Sequence, residues 1–339
     1  MRKFLQGLLN VSCIATALTF MTNTEVSAQR KIDWKQPDIK YVNERGWSLG
    51  FNAGVADMFG DVGTKTVMDH YSNDKYFDEI KAMGGIYGRY THIPGLSFRL
   101  GIAYGTLYAT DKWNQEYVKD AKSMEDDYVQ RYLRNLDVKT NIWEGSVMVE
   151  ISPLQLFSNW EFNKVAQWRF QPYLMAGFGA FYYNPRGSNI LNFETGQMVW
   201  QDLRPLRTEG QGFNKEGYPD VYDQYSFMIP MGVGFRVDLG RKKVCALGLE
   251  YNLRYTFTDY LDDVSGKYVD PLMHDIAFLN ERYVPETAIK MADRGNEIIP
   301  GFKHQAGTFR GDPNNKDMYG TLSLNFLWRI NKNTLAWWK

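Results

Sequence analysis

Residues 225–239 read Tyr-Ser-Phe-Met-Ile-Pro-Met-Gly-Val-Gly-Phe-Arg-Val-Asp-Leu. Tyr225, Phe227, Ile229, Met231, Val233, Phe235, Val237 and Leu239 share one parity, and Ser226, Gly232, Gly234, Arg236 and Asp238 share the other. Successive side chains of an extended chain point to opposite faces, so the stretch makes a strand with one apolar face and one small or polar face. It is longer than the roughly five or six residues usual in soluble sheets, and long enough to cross a bilayer at a tilt.

Working outward, four more segments repeat the pattern. Over 244–258, Leu247, Leu249, Tyr251, Leu253, Tyr255 and Phe257 oppose Glu250, Asn252, Arg254, Thr256 and Thr258. Segments 96–108, 47–56 and 319–330 alternate in the same way. Three segments alternate less cleanly: 142–151; 170–183, where Tyr173 and Met175 intrude on the second face; and 84–92, which meets 96–108 across the turn 92–95. Eight strands are predicted. The connections 60–82, 111–137, 184–223 and 260–317 are long and interleave with the short 93–95, 152–168 and 240–243. Long outer loops alternating with short periplasmic turns are the asymmetry of an outer-membrane barrel. Lipid offers the backbone no hydrogen-bond partners, so the sheet must close on itself. The expected fold is all-β, an eight-stranded antiparallel transmembrane β-barrel with long extracellular loops and short helices in 271–292. The alternative is a soluble exported barrel or sandwich, which would not need Tyr, Trp and Phe on nearly every strand.

Of the 339 residues, 15% are aromatic, with 22 Tyr and 10 Trp, side chains suited to the boundary between lipid and water. Lys+Arg and Asp+Glu both number 39, so no basic excess points to nucleic acid. Arg2 and Lys3, a mostly apolar stretch and Val26-Ser27-Ala28 read as a signal peptide cleaved after Ala28. The expected organisation is a signal peptide over 1–28, a periplasmic segment over 29–45, the barrel over 46–330 and a periplasmic tail over 331–339. After cleavage only Cys245 remains, on the lipid-facing parity, so no internal disulfide forms and no CxxC pattern exists.

The inward parity collects Arg89, Arg99, Glu144, Glu150, Arg236, Glu250, Arg254 and Arg329. Eight strands leave an interior that side chains about fill, so these charges should pair as a polar core; a selective channel or proton path is the functional alternative. Asp259, Asp262, Asp263 and Asp270 cluster where the largest loop begins and are candidate Ca²⁺ ligands, against the plainer role of bonding local backbone N–H groups with Arg294 or Arg310 nearby. His274 and His304 share that loop with Asp262 and Asp263, so an Asp–His pair is conceivable. No GxSxG motif accompanies them, and no catalytic residue or cofactor is expected. Phe157, Trp160, Trp337 and Trp338 are candidate periplasmic contacts.

Several stretches carry a family resemblance: Leu-Arg-Pro-Leu-Arg-Thr-Glu-Gly-Gln-Gly at 203–212, Thr-Asp-Tyr-Leu-Asp-Asp-Val-Ser-Gly at 258–266, Ala292-Asp293-Arg294, Arg310-Gly311-Asp312-Pro313, Lys316-Asp317-Met318-Tyr319-Gly320, and Phe-Gln-Pro-Tyr-Leu-Met-Ala-Gly-Phe-Gly-Ala-Phe-Tyr-Tyr-Asn at 170–184. Together, from about residue 45 to 330, they resemble the outer-membrane barrel family that includes PorG, a component of the type IX secretion system. The resemblance implies a non-enzymatic barrel that scaffolds secretion through the periplasmic PorK–PorN ring. The loops 184–223 and 260–317 and the tail 331–339 are long for a minimal PorG-like chain. Two other roles remain open: an independent outer-membrane barrel for ligand binding or envelope integrity, and a barrel hydrolase using loop Asp and His.

Overall fold

The computed structural model describes residues 45–72, 80–158, 169–192, 197–213, 216–239, 243–277 and 285–330. Nine strands run in chain order: β1 (Gly46–Phe59), β2 (Lys81–Ile93), β3 (Leu96–Thr110), β4 (Asp137–Ile151), β5 (Phe170–Asn192), β6 (Gln197–Asp202), β7 (Tyr225–Leu239), β8 (Cys245–Thr256) and β9 (Met318–Arg329). Each pairs antiparallel with its neighbour, and β1 pairs with β9, so eight of them close a barrel in the order β1-β2-β3-β4-β5-β7-β8-β9. The ninth, β6, stands outside the ring. The stretch 184–223 is not all loop: β5 runs on past the barrel and folds back as a hairpin with β6.

Local sequence explains the irregular points. Pro94 and Gly95 turn β2 into β3, with Gly95 at φ +87°, a conformation closed to most residues with a Cβ. The β5–β7 ladder skips from Ala176↔Met231 to Gly179↔Met228 around Pro230, which has no N–H to give. The outer ends carry short helices: α1 (Val67–Ser72), α2 (Asp127–Arg134), α4 (Pro271–Ala277) and α5 (Pro285–Ala292), while α3 (Pro153–Ser158) sits at the opposite end. Asp126 caps α2 by accepting from Tyr128 N, and Asn135 ends it in the left-handed conformation. Among the described residues no helix is long and apolar enough to cross a membrane; the strands are the elements of spanning length.

The pleat sorts side chains by face. Outward-facing Leu100, Ile102, Val147, Leu174, Phe178, Val233 and Leu324 are all more than half exposed. Between the aromatic ends described next, the outward parity of the eight strands carries no charged residue.

Candidate functional site

Tyr104, Trp143, Tyr182 and Tyr225 lie side by side in register across β3, β4, β5 and β7. Tyr104 meets Trp143 at 4.5 Å, and Tyr182 meets Tyr225 at 5.0 Å. Toward the short-turn end a second aromatic group gathers, where Trp47 packs on Tyr90 at 5.2 Å and Phe170 on Phe235 at 5.4 Å. Along β3 the apolar outward face runs from Leu96 to Tyr104, roughly 20 Å of height for a strand tilted by about 40°.

The inward face is built differently at its two ends. In the half nearer the short turns it is polar, with Glu150 at the centre. Its Oε1 accepts from Arg89 Nε at 3.0 Å and Nη2 at 2.8 Å, lies 2.6 Å from Arg236 Nη2, and its Oε2 lies 2.8 Å from Arg99 Nε. Arg99 reaches on across the lumen, donating from Nη1 to Glu250 at 2.8 Å. Since β3 and β8 stand diametrically opposite in the strand order, this pair spans the barrel. Tyr173 and Asn325 also donate to Glu250, at 2.9 and 3.0 Å. Tyr87 and Tyr173 lay their rings against Arg99, and Tyr173 against Arg236. Glycine makes the room: Gly50 faces Tyr87 and Gly234 faces Tyr173 across adjacent strands, and a Cβ on Gly234 would lie 2.6 Å from the Tyr173 ring. A second crossbar joins Arg254 to Glu144 through two hydrogen bonds of 3.0 and 2.8 Å, with Tyr319 donating to the same carboxylate at 2.7 Å. A third, lower, pairs Arg329 with Asp238 at 2.7 Å.

All eight sequence-named charges, Arg89, Arg99, Glu144, Glu150, Arg236, Glu250, Arg254 and Arg329, are buried inside the barrel. Buried charges are tolerable when paired with opposite charges, and each of these eight has such a partner within 3.0 Å. Tyr87, Tyr173, Asn325, Tyr319 and Asp238 belong to it as well. Their signal in the sequence was the inward parity itself, including Tyr173, the residue that spoiled the alternation of 170–183.

Toward the long loops the lumen turns apolar. Met58, Leu107, Val138, Ile142, Phe181 and Tyr183 from the strands run into Val62, Trp113, Leu136, Leu203, Leu206, Leu261, Val264 and Met291 from the loops, forming one buried cluster. Two arginines tie the four long loops together above it. Arg134 donates to Asp111 at 2.8 and 2.7 Å, to the Arg310 carbonyl at 2.6 Å and to the Asp61 carbonyl at 2.5 Å. Arg310 donates to Glu209 at 3.1 Å, to the Asp263 carbonyl at 2.8 Å and to Thr208 at 3.3 Å. The long loops thus form a folded cap with its own core. Neither arginine was legible as a centre of this kind, because loop residues carry no periodicity.

The four candidate calcium ligands are not gathered at one point. Asp262 accepts from Val62 N and Val264 N at 2.7 and 3.0 Å. Asp259 accepts from Ser265, and Asp263 from Thr208 and Tyr222. Asp270 is exposed and accepts from Leu272 N at the start of α4. Among the described residues no group of three or more His, Cys, Asp or Glu has metal-holding geometry. Asp262 instead neighbours Asp61 and Asp317, and the nearby Arg134 offsets the burial of Asp61 and Asp262 only in part. Burial and mutual repulsion push Asp61 and Asp262 up to about 7, and Asp317 well above the usual carboxylate range. Burial likewise raises Asp259 and Asp263 to about 6.

Neither loop histidine meets Asp262 or Asp263. His304 pairs through Nδ1 with Asp293 at 2.8 Å beneath the Tyr268 ring, and His274 is buried with Nε2 3.1 Å from the Arg207 carbonyl. Arg294, named as a partner for the aspartates, bonds Glu297 and the Ser188 carbonyl. Of the candidate periplasmic contacts, Trp160, Trp337 and Trp338 lie outside the described residues, as do the side chain of Phe157 and the signal-peptide segment.

No family model matches this chain, and no curated protein does. Among solved structures it is similar to Ail, the attachment invasion locus protein of Yersinia pestis, crystallised with the heparin analogue sucrose octasulfate, at 9% identity and TM-score 0.33 over 84% of this chain and 99% of that one. It is also similar to Neisserial surface protein A, at 10% identity and TM-score 0.34 over 84% and 97%, and to a major outer membrane protein of Thermus thermophilus, at 12% and 0.32 over 84% and 98%. Likeness this distant transfers no residue's role.

Proposed function

We propose that this chain is a non-enzymatic, non-conducting barrel of a Gram-negative outer membrane that works by holding partners at its two ends. The observation that carries the reading is the filled lumen: ion pairs cross it in one half and an apolar cluster continuous with the cap fills the other. An interior so occupied leaves solute no passage, and the uncharged outward belt fits acyl chains. Work is then left to the surfaces above and below the bilayer. The chain serves the type IX secretion machinery, scaffolding through the PorK–PorN ring, with 29–45, 153–168 and 331–339, including Phe157, Trp160, Trp337 and Trp338, as the periplasmic contacts. Support for this assignment is the sequence resemblance centred on 258–266. Deleting the gene tests it: proteins bearing the type IX sorting signal should stop being secreted, and mild detergent extraction should recover ring proteins with the barrel. Intact secretion after deletion would overturn the assignment.

The folded cap favours a second reading, an independent envelope barrel whose outer surface binds a ligand. Under it, secretion survives deletion, and removal of the cap's outer segments abolishes the phenotype.

A further inference from the structure

Beyond the aromatic row the outward face changes from rings to cations. Tyr108 of β3 is in register with Lys139 of β4, Lys139 with Arg186 of β5, and Arg186 with Asp202 of β6. This row lies four residues past Tyr104, Trp143 and Tyr182, about 13 Å along the strands or roughly 10 Å in height. Between the rows Thr106 and Asn141 bond each other at 3.0 Å. Lys81 opens β2 opposite Ala56, at the rim, and its Nζ reaches to 4.9 Å from the centre of the Tyr108 ring, while Lys139 Nζ sits 5.7 Å from that of Trp200. The two rings meet edge-on at 6.3 Å.

Two further cations join the patch already neutralised: Lys112 on Asp137 and Arg186 on Asp202, each at 2.6 Å. Among the described residues Lys81 and Lys139 have no carboxylate partner, and the described side chains of the patch carry two positive charges in excess. A ring face attracts a cation without cancelling its charge. Above, the cap overhangs: Thr110, Asp137 and Ser188 are buried on the same side of the sheet, with Arg294 donating to the Ser188 carbonyl at 2.6 Å. The patch therefore has an aromatic floor at the acyl boundary, a polar roof, and two uncancelled ammonium groups between them. Anionic headgroups attract cations placed at that height.

We propose that Lys81 and Lys139, held over Tyr108 and Trp200, bind the phosphate of an anionic lipid headgroup in the outer leaflet. The inference rests on the membrane-spanning reading above.

The full chain is folded into phosphatidylcholine vesicles doped with bisphosphorylated lipid A, then extracted into mild detergent for native mass spectrometry. Wild type should retain lipid A. The Lys81→Gln/Lys139→Gln variant should retain about thirtyfold less, the effect of removing two cations from an anionic surface. Lys316→Gln, elsewhere on the rim, should retain as much as wild type, and dephosphorylated lipid A should be held no better than phosphatidylcholine. Should the double variant fail to insert, Lys139→Gln alone decides, with about a fivefold loss expected. Equal retention by the lysine variants, or retention indifferent to phosphate, overturns the inference. So does displacement of lipid A by millimolar inorganic phosphate, which would mark a free-anion site. Insertion is read separately from heat-dependent gel mobility. A chain that never enters the vesicles overturns the membrane reading and this inference with it; one that enters yet retains no lipid A overturns this inference alone.

Discussion

Replacing Glu150 by Gln removes the negative charge on which the lower lumen is centred. Three guanidinium groups, from Arg89, Arg99 and Arg236, stand within 2.6–3.0 Å of its oxygens, and all four side chains are buried. Arg99 keeps Glu250, but Arg89 is left with the neutral Thr91 hydroxyl. Stranding buried charge in this way costs about 3–5 kcal/mol. Glu150→Gln should therefore lower barrel stability by about that amount in an equilibrium urea titration in detergent micelles, followed by fluorescence of the 10 tryptophans. The second arm is a cycle with Arg89→Met. If the cost comes from uncompensated cations, Arg89→Met should be cheaper in the Glu150→Gln background than in wild type, by about 2 kcal/mol. A Glu150→Gln loss under about 1 kcal/mol, or the same Arg89→Met cost in both backgrounds, would refute the reasoning.

Other outcomes follow from the same structure. Gly234→Ala puts a methyl group 2.6 Å from the Tyr173 ring and should cost about 1–3 kcal/mol in the same titration, since Tyr173 must leave Glu250. Arg310→Met strands the buried Glu209 and should open the cap to protease by about 3 kcal/mol while heat-dependent gel mobility still reports a folded barrel. Wild-type protein in planar bilayers should give no stable conductance steps; regular ohmic steps would contradict the filled lumen. The cap should also loosen as pH rises. Burial holds Asp61 and Asp262 up to about 7 and Asp317 well above the usual carboxylate range, against roughly 4 in an opened cap, so the closed cap binds more protons. Its stability is complete below about pH 4 and is lost as pH rises through about 7. Hydrogen exchange over 257–266, corrected for intrinsic rate, should be faster at pH 8 than at pH 5. The point where a Cβ on Gly60 would sit is 2.5 Å from Asp262 Oδ2 and 2.8 Å from Asp317 Oδ1, which sets the two oxygens no more than ~5.3 Å apart. Asp317→Asn puts a neutral amide there and should reduce the pH dependence by Asp317's own share, leaving that of Asp61 and Asp262; unchanged dependence would count against Asp317's part in the cluster.

The barrel was readable because its signal is repeated. Each strand states its two faces several times over, and a ring of eight with alternating loop lengths leaves few other closures. The inward charges were readable for the same reason, since Arg99 and Glu250 sit on the parity opposite each strand's apolar face. Which charge meets which was not readable: Arg99 and Glu250 are 151 residues apart, and their pairing depends on ring order and stagger. The β5–β6 hairpin stayed hidden because its pairing begins at Arg186, after β5 has parted from β7 at Tyr182 and beyond the apolar alternation that marks a membrane strand. The aspartates of 259–270 show the limit most plainly. Their density suggested a ligand set, yet Asp262 and Asp263, adjacent in sequence, face different neighbours, Asp61 and Asp317 for one and Thr208 and Tyr222 for the other.

The polar lumen also answers a problem that the apolar exterior cannot. In lipid, burying a Leu against acyl chains does little to distinguish one strand register from the next. A slip of one residue inverts every side chain of a strand. For β4 that would turn Glu144 and Glu150 toward the acyl chains; for β8, Glu250 and Arg254. An Arg or Lys on the lipid face costs roughly 2–4 kcal/mol at the midplane, and each partner left inside becomes an unpaired buried charge. The crossbars Arg99–Glu250 and Arg254–Glu144 therefore penalise mis-registered barrels from both ends of each pair. On this argument the charges are there to select one closure. A barrel in which both pairs were replaced by apolar residues of similar volume should still insert, and should show more than one folded band in heat-dependent gel mobility. A single band with native stability would mean that the cap and turns alone set the register.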